Sequence, residues 1–152
     1  MRIVAPLAVA LALAVPAAAL SAVRGAPKPC TLISKANASK LLKAPAKAYP
    51  ARAHDGGTIC LWIASTGRLQ IDDGPSSLSS TPSAADSPPG TVIKKEPVLG
   101  PAGWWVYNTS KKYRFANAGF VLGAYEYDVY SQVVAPQSVF ALAKLIHHKL
   151  GG

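Results

Sequence analysis

Acidic residues are scarce in this chain: 7 Asp and Glu stand against 16 Lys and Arg, for a formal net charge of +9. There are also only 2 cysteines, 3 histidines and 1 methionine. Each shortage removes a class of chemistry. Cys30 and Cys60 have no second Cys or His at ligand spacing, so the pair does not read as a metal site. His147 and His148 are adjacent, and helix neighbours point about 100° apart, which leaves them without a common ligand direction or a third partner. His54-Asp55 stands alone in a loop. No Gly-x-Ser-x-Gly nucleophile elbow occurs, and serine is concentrated in a low-complexity stretch. Glu126 and Asp128 lie two apart on one strand face, whereas acid–base work on a sugar needs carboxylates across a cleft. No catalytic set, cofactor or metal is expected. A small hydrolase acting on an envelope polymer through Glu126 or Asp128 is the alternative.

What the chain does have begins with an apolar run. Arg2 is the only charge before Arg24, and Ile3 to Leu20 is dominated by Ala, Leu and Val. Ala17-Ala18-Ala19-Leu20-Ser21-Ala22 then supplies the small residues that signal peptidase requires. A membrane span needs about 20 apolar residues, but Pro6 and Pro16 interrupt this run. Residues 1–22 are therefore expected to be a cleaved signal peptide, and the product to be secreted or periplasmic. No Cys directly follows the small residues, so no lipid anchor is expected.

Residues 23–152 fit a single small domain. Of the 16 basic residues only Arg2 is lost with the signal, leaving 15 against 7 acidic and a charge of +8. That excess favours an anionic partner, such as an envelope polymer or an acidic protein. In an exported chain an isolated cysteine pair is expected to be a disulfide, Cys30 with Cys60. Closing a loop of that size stabilises by roughly 3–4 kcal/mol.

Ser34 reads as the N-cap of a helix over Lys35 to Lys43, stopped by Pro45. Residues 46–57 read as loop. Thr58 to Ala64 and Arg68 to Asp72 read as paired strands, the first apolar on both faces. Between 73 and 90 the composition turns to Gly, Pro, Ser, Thr, Ala and Asp, and a mobile loop is expected there. Thr91 to Lys95, Gly103 to Asn108, and Tyr113 to Ala116 follow as short strands. Asn117-Ala118-Gly119 is expected to reverse the chain into one long strand from Phe120 to Val134, with a bulge at Gly123. Pro136 opens a closing helix, with Val139, Leu142, Ala143, Ile146 and Leu150 along one stripe. The class is α+β: an antiparallel sheet of about five to six strands packed by an N-terminal and a C-terminal helix.

The segments Pro29-Cys30-Thr31-Leu32-Ile33-Ser34, Cys60-Leu61-Trp62, Gly100-Pro101-Ala102-Gly103-Trp104-Trp105 and Ala141-Leu142-Ala143-Lys144 together resemble a family of small exported domains of unknown function, common among actinobacterial lipoproteins and secreted proteins. The resemblance spans nearly the whole mature chain and implies pairing of Cys30 with Cys60. It implies no activity. The chain departs from that pattern at Asn37, where an acidic residue is usual, at Pro101, and in lacking a lipid-attachment Cys.

Nine of the twelve aromatic residues fall between Trp104 and Tyr130. Trp104 and Trp105 are neighbours in a strand and must point to opposite faces, so one is expected in the core. Lys111, Lys112 and Arg114 concentrate positive charge in one turn, with Tyr107 and Tyr113 close enough to flank them across a hairpin. These five residues are the candidate ligand contacts of a non-enzymatic binding or accessory module of the cell envelope.

Overall fold

The computed structural model describes residues 28–54, 56–76 and 82–152, so the signal peptide expected at 1–22 lies outside the described residues. Seven strands form one antiparallel sheet: β1 (Lys47–Arg52), β2 (Thr58–Ala64), β3 (Gly67–Pro75), β4 (Val92–Lys95), β5 (Trp104–Asn108), β6 (Phe115–Leu122) and β7 (Tyr125–Ser131). Their order is β1-β2-β3-β7-β6-β5-β4. Helices α1 (Lys35–Leu42) and α2 (Pro136–Lys149) complete an α+β domain.

The sheet has more strands than the five to six expected because of β1, while the strands expected at Tyr113–Ala116 and over 120–134 are redivided into β6 and β7 without adding one. β1 is strand where loop was expected. All six of its residues are exposed, so no burial period marks it in the sequence, and it forms by backbone pairing from Lys47↔Ile63 to Arg52↔Thr58. Pro50 is tolerated because this is an edge. The long strand expected over 120–134 is instead the end of β6 and all of β7. Gly123, at φ 62°, turns the chain between them rather than bulging it. Asn117-Ala118-Gly119 does not reverse the chain; it lies inside β6, paired with β7 through Ala118↔Val129.

Both helices lie on one face. The sheet alternation sends Cys60, Leu69, Ile71, Ala118, Phe120 and Val129 to that face, all fully buried. α1 begins at Ser34, whose Oγ accepts from the Asn37 N–H at 3.2 Å. It ends on Lys43 in the left-handed region (φ 56°), and the Thr66 hydroxyl donates to the Leu42 carbonyl beneath it. α2 lays Val139, Leu142, Ala143 and Ile146 against β6 and β7. Phe140 stacks on Trp105 with centroids 4.9 Å apart. At its C-terminal end the Lys149 ammonium donates to the carbonyls of Thr31 and Leu32, each at 3.1 Å. Cys30, in that same N-terminal turn, is bonded to Cys60 of β2. The disulfide thus ties the entry of the domain to the sheet, as expected.

In the sheet, β7, β6 and β5 stand between β3 and β4, which forms the far edge. Strand β3 itself runs through Pro75, three residues into the segment expected to be loop. On the far side, the amide of Asn108 donates to the Pro89 carbonyl at 3.0 Å and to Thr91 Oγ1 at 3.2 Å. Asn108 points away from the helices, so the segment 88–91 is pinned over the opposite face of the sheet.

Candidate functional site

Two places concentrate charge, and they lie on opposite sides of the sheet. The first is a groove of about 700 Å³ between α1 and α2. Its base is set by Ser131 at the end of β7. The Ser131 hydroxyl donates to the Arg68 carbonyl at 2.8 Å and accepts from the N–H groups of Val133 and Val134 at 3.3 and 3.2 Å. This fixes the chain leaving the sheet so that Val133 and Val134 line the groove. On α1, Asn37, Lys40 and Leu41 share the facing side at helical spacing; on α2, Ser138, Ala141 and Leu145 do the same. Lys43 and Arg114 add two further cations. Leu145 and Val133 stay 52% and 38% exposed. No carboxylate is among the described residues that line the groove.

This arrangement redistributes the residues that the sequence singled out. Arg114 faces the groove, together with Lys40 and Lys43. Lys111 and Lys112 are exposed in the turn between β5 and β6, which is shaped by Asn108 Oδ1 accepting from the Ser110 N–H at 2.9 Å and by Ser110 Oγ accepting from the Tyr113 N–H at 3.2 Å. Lys112 lies over the half-buried Tyr113 ring at 4.9 Å, so these two are brought together. Tyr107 is not brought to the turn surface. It pairs with Ala116 and therefore points to the helix side, 4.5 Å from the Trp105 ring. Lys40 and Lys43 were missed in the sequence as site residues. Their only signal was spacing beside Leu41, which reads equally as a solvated helix face.

The second place is an acidic row on the helix-free face. Asp128 of β7 sits directly opposite Asp72 of β3, and Glu126 is the next residue on that face of β7. The same cross-strand line continues through Gly119 and Trp104 to Lys95. Gly119 is required here. A Cβ at that position would come within 2.4 Å of Trp104 Cζ2 and 2.5 Å of Asp128 Oδ1. The indole lies in the space a side chain would occupy, which is why Trp104 is only 2% exposed on a face without helices. Trp105, on the helix face, is also buried, so both tryptophans are packed. Burial, then the Asp72 carboxylate, then Glu126, raise the Asp128 carboxyl well above the usual carboxylate range. Asp73, on the opposite side of β3, accepts from the Thr58 N–H and hydroxyl at 2.7 and 2.8 Å. Burial, then Asp73, then Tyr125 raise the Tyr127 phenol.

His147 packs edge-on against Phe120 with centroids 4.9 Å apart. Its neighbour His148 is exposed. Among the described residues no group of three or more His, Cys, Asp or Glu is placed to hold a metal ion. No protein-family model, curated protein or solved structure matches the chain.

Proposed function

We propose that this chain is an exported, non-enzymatic binding or accessory module of the cell envelope that takes an anionic ligand at its basic end. The observation that carries this reading is the separation of charge. Lys40, Lys43 and Arg114 converge on one groove without a carboxylate among its described lining, while Asp72, Glu126 and Asp128 gather on the other side of the sheet. Lys111 and Lys112 extend the basic surface beside Arg114, where an anionic envelope polymer could run along the turn. Export is supported by the Cys30–Cys60 bridge and is compatible with the finding that no described helix is long and apolar enough to cross a membrane. Membership of the small exported family resembled by the Pro-Cys and Cys-x-Trp segments belongs to the same reading.

Several charges acting on one polyanion add and are screened by salt. The test is retention on immobilised polyphosphate at low and high ionic strength. Replacing Lys111, Lys112 and Arg114 by Ser should abolish most low-salt retention. Undiminished retention of the triple variant, or binding insensitive to salt, overturns the polymer contact.

One observation favours a second reading, a small envelope-polymer hydrolase. Asp128 sits directly opposite Asp72, and burial together with Asp72 and Glu126 raises its carboxyl, the direction a general acid requires. Release of reducing ends from an envelope glycan, lost in Asp128→Asn, would establish it. Equal release by the parent and the variant would remove it.

A further inference from the structure

We propose that the groove between α1 and α2 binds a single-chain amphiphile, its alkyl chain laid along Leu41, Val133 and Leu145 and its anionic head held by Lys40, Lys43 and Arg114. The proposal rests on the anionic-ligand reading above but names a different class of ligand, one that needs an apolar chain as well as a charge.

The volume of about 700 Å³ falls within the range of small-molecule sites, which are mostly apolar with a few placed polar groups. Two of the large apolar side chains that remain exposed, Leu145 and Val133, meet in this groove. Leu145 lies outside the α2 stripe that packs on the sheet, and with Ser138 and Ala141 it makes a second face of that helix, directed across the groove at α1. The cations are arranged around this apolar centre. Lys43 projects from the left-handed C-cap of α1, Lys40 from the turn before it, and Arg114 from the turn just before β6.

A neutral apolar ligand would make no use of the three cations, and a polyanion would leave Leu145 and Val133 in water. An alkyl chain ending in one anion satisfies both halves. Every methylene withdrawn from water adds to affinity, so chain length should govern affinity more than the head group does.

The test is calorimetric titration of the protein with laurate, dodecyl phosphate, the uncharged dodecyl maltoside and polyphosphate. Laurate and dodecyl phosphate should both bind, about tenfold or more tighter than dodecyl maltoside. Octanoate should bind at least tenfold more weakly than laurate. Leu145→Glu, at an exposed position that does not threaten folding, should weaken laurate binding at least tenfold. The double variant Lys40→Ser with Lys43→Asn should weaken laurate several-fold and leave dodecyl maltoside unchanged; Asn is chosen because it tolerates the left-handed cap.

Equal affinity for laurate and dodecyl maltoside, or a Leu145→Glu variant that binds laurate like the parent, overturns the proposal. So does an acidic peptide that binds the groove when laurate does not. Polyphosphate retention separates this proposal from the wider reading. Retention without laurate binding leaves the polymer contact standing and the groove proposal refuted. Laurate binding without retention does the reverse.

Discussion

The two faces of the sheet are built from the same strands, yet they differ in almost every chemical respect. Ile71 and Val129 are fully buried under the helices, and the residues immediately after and before them, Asp72 and Asp128, meet on the other face. Trp105 stacks on Phe140 of α2, while Trp104 packs closely against Gly119 on the side without helices. Alternation along a strand sorts side chains with a period of two, and this sheet uses it to place a mostly apolar layer, with Asp73 buried in it, against one that carries Asp72, Glu126 and Asp128. The difference shows where packing and charge reside. The helix face is held by packing and the disulfide; the opposite face tolerates an acid cluster at an electrostatic cost; and the cations collect where the two helices part.

Breaking the helix face should produce the largest loss. Phe120, fully buried between Tyr127 and His147, is its largest fully buried side chain, and Phe120→Ala should cost about 3–5 kcal/mol in denaturant unfolding. Reducing the Cys30–Cys60 bond frees a link across 30 residues of sequence and should lower stability by about 3 kcal/mol, measured as the difference between oxidised and reduced unfolding curves. A loss under about 1 kcal/mol would mean that Lys149 and the packed turn at Pro29 already hold the N-terminal segment.

The opposite face responds more weakly and in two directions. Gly119→Val drives methyl groups into Trp104 and Asp128 and should cost about 1–3 kcal/mol, with a shift in tryptophan fluorescence. Asp128→Asn should stabilise. Because the folded carboxyl is raised above its unfolded value of about 4, its favourable contribution is complete below that pH and is lost as pH rises through the folded value. Asn removes that loss, so the variant should melt higher than the parent at neutral pH and show no advantage near pH 3.5. Identical melting curves at both pH values would show that Asp128 ionises freely. The smallest effect belongs to the basic turn. Replacing Lys111, Lys112 and Arg114 by Ser should change stability by no more than about 0.5 kcal/mol while removing polyanion retention, which separates the ligand surface from the fold.

The legible parts of the fold are those whose signal is local. Ser34, Pro45 and Pro136 place the helix ends because caps and proline act on their own backbone. The stripe from Val139 to Ile146 appears because burial on a helix repeats at fixed spacing. β1 was illegible because none of its six residues is buried. Its partner alone makes it a strand. The split at Gly123 was obscured because Phe120-Val121-Leu122 and Tyr125 to Val129 are both apolar enough to join, and one glycine can mark either a bulge or a turn.

The charged sites divide in the same way. Glu126 and Asp128 share a strand, so their common face follows from sequence spacing; Asp72, 56 positions before Asp128, joins them only through the β3–β7 register. Lys111, Lys112 and Arg114 were visible as a cluster, but Arg114 meets Lys40 and Lys43 only because α1 and α2 come to rest on the same face of the sheet. Composition, the cysteine pair and the helix caps were determined by the sequence itself, because each depends on residues acting on their own backbone or on a bond with a single available partner. The seven-strand order, the burial of both Trp104 and Trp105 and the cationic groove were decided by tertiary structure, because they depend on which distant segments the antiparallel register brings side by side.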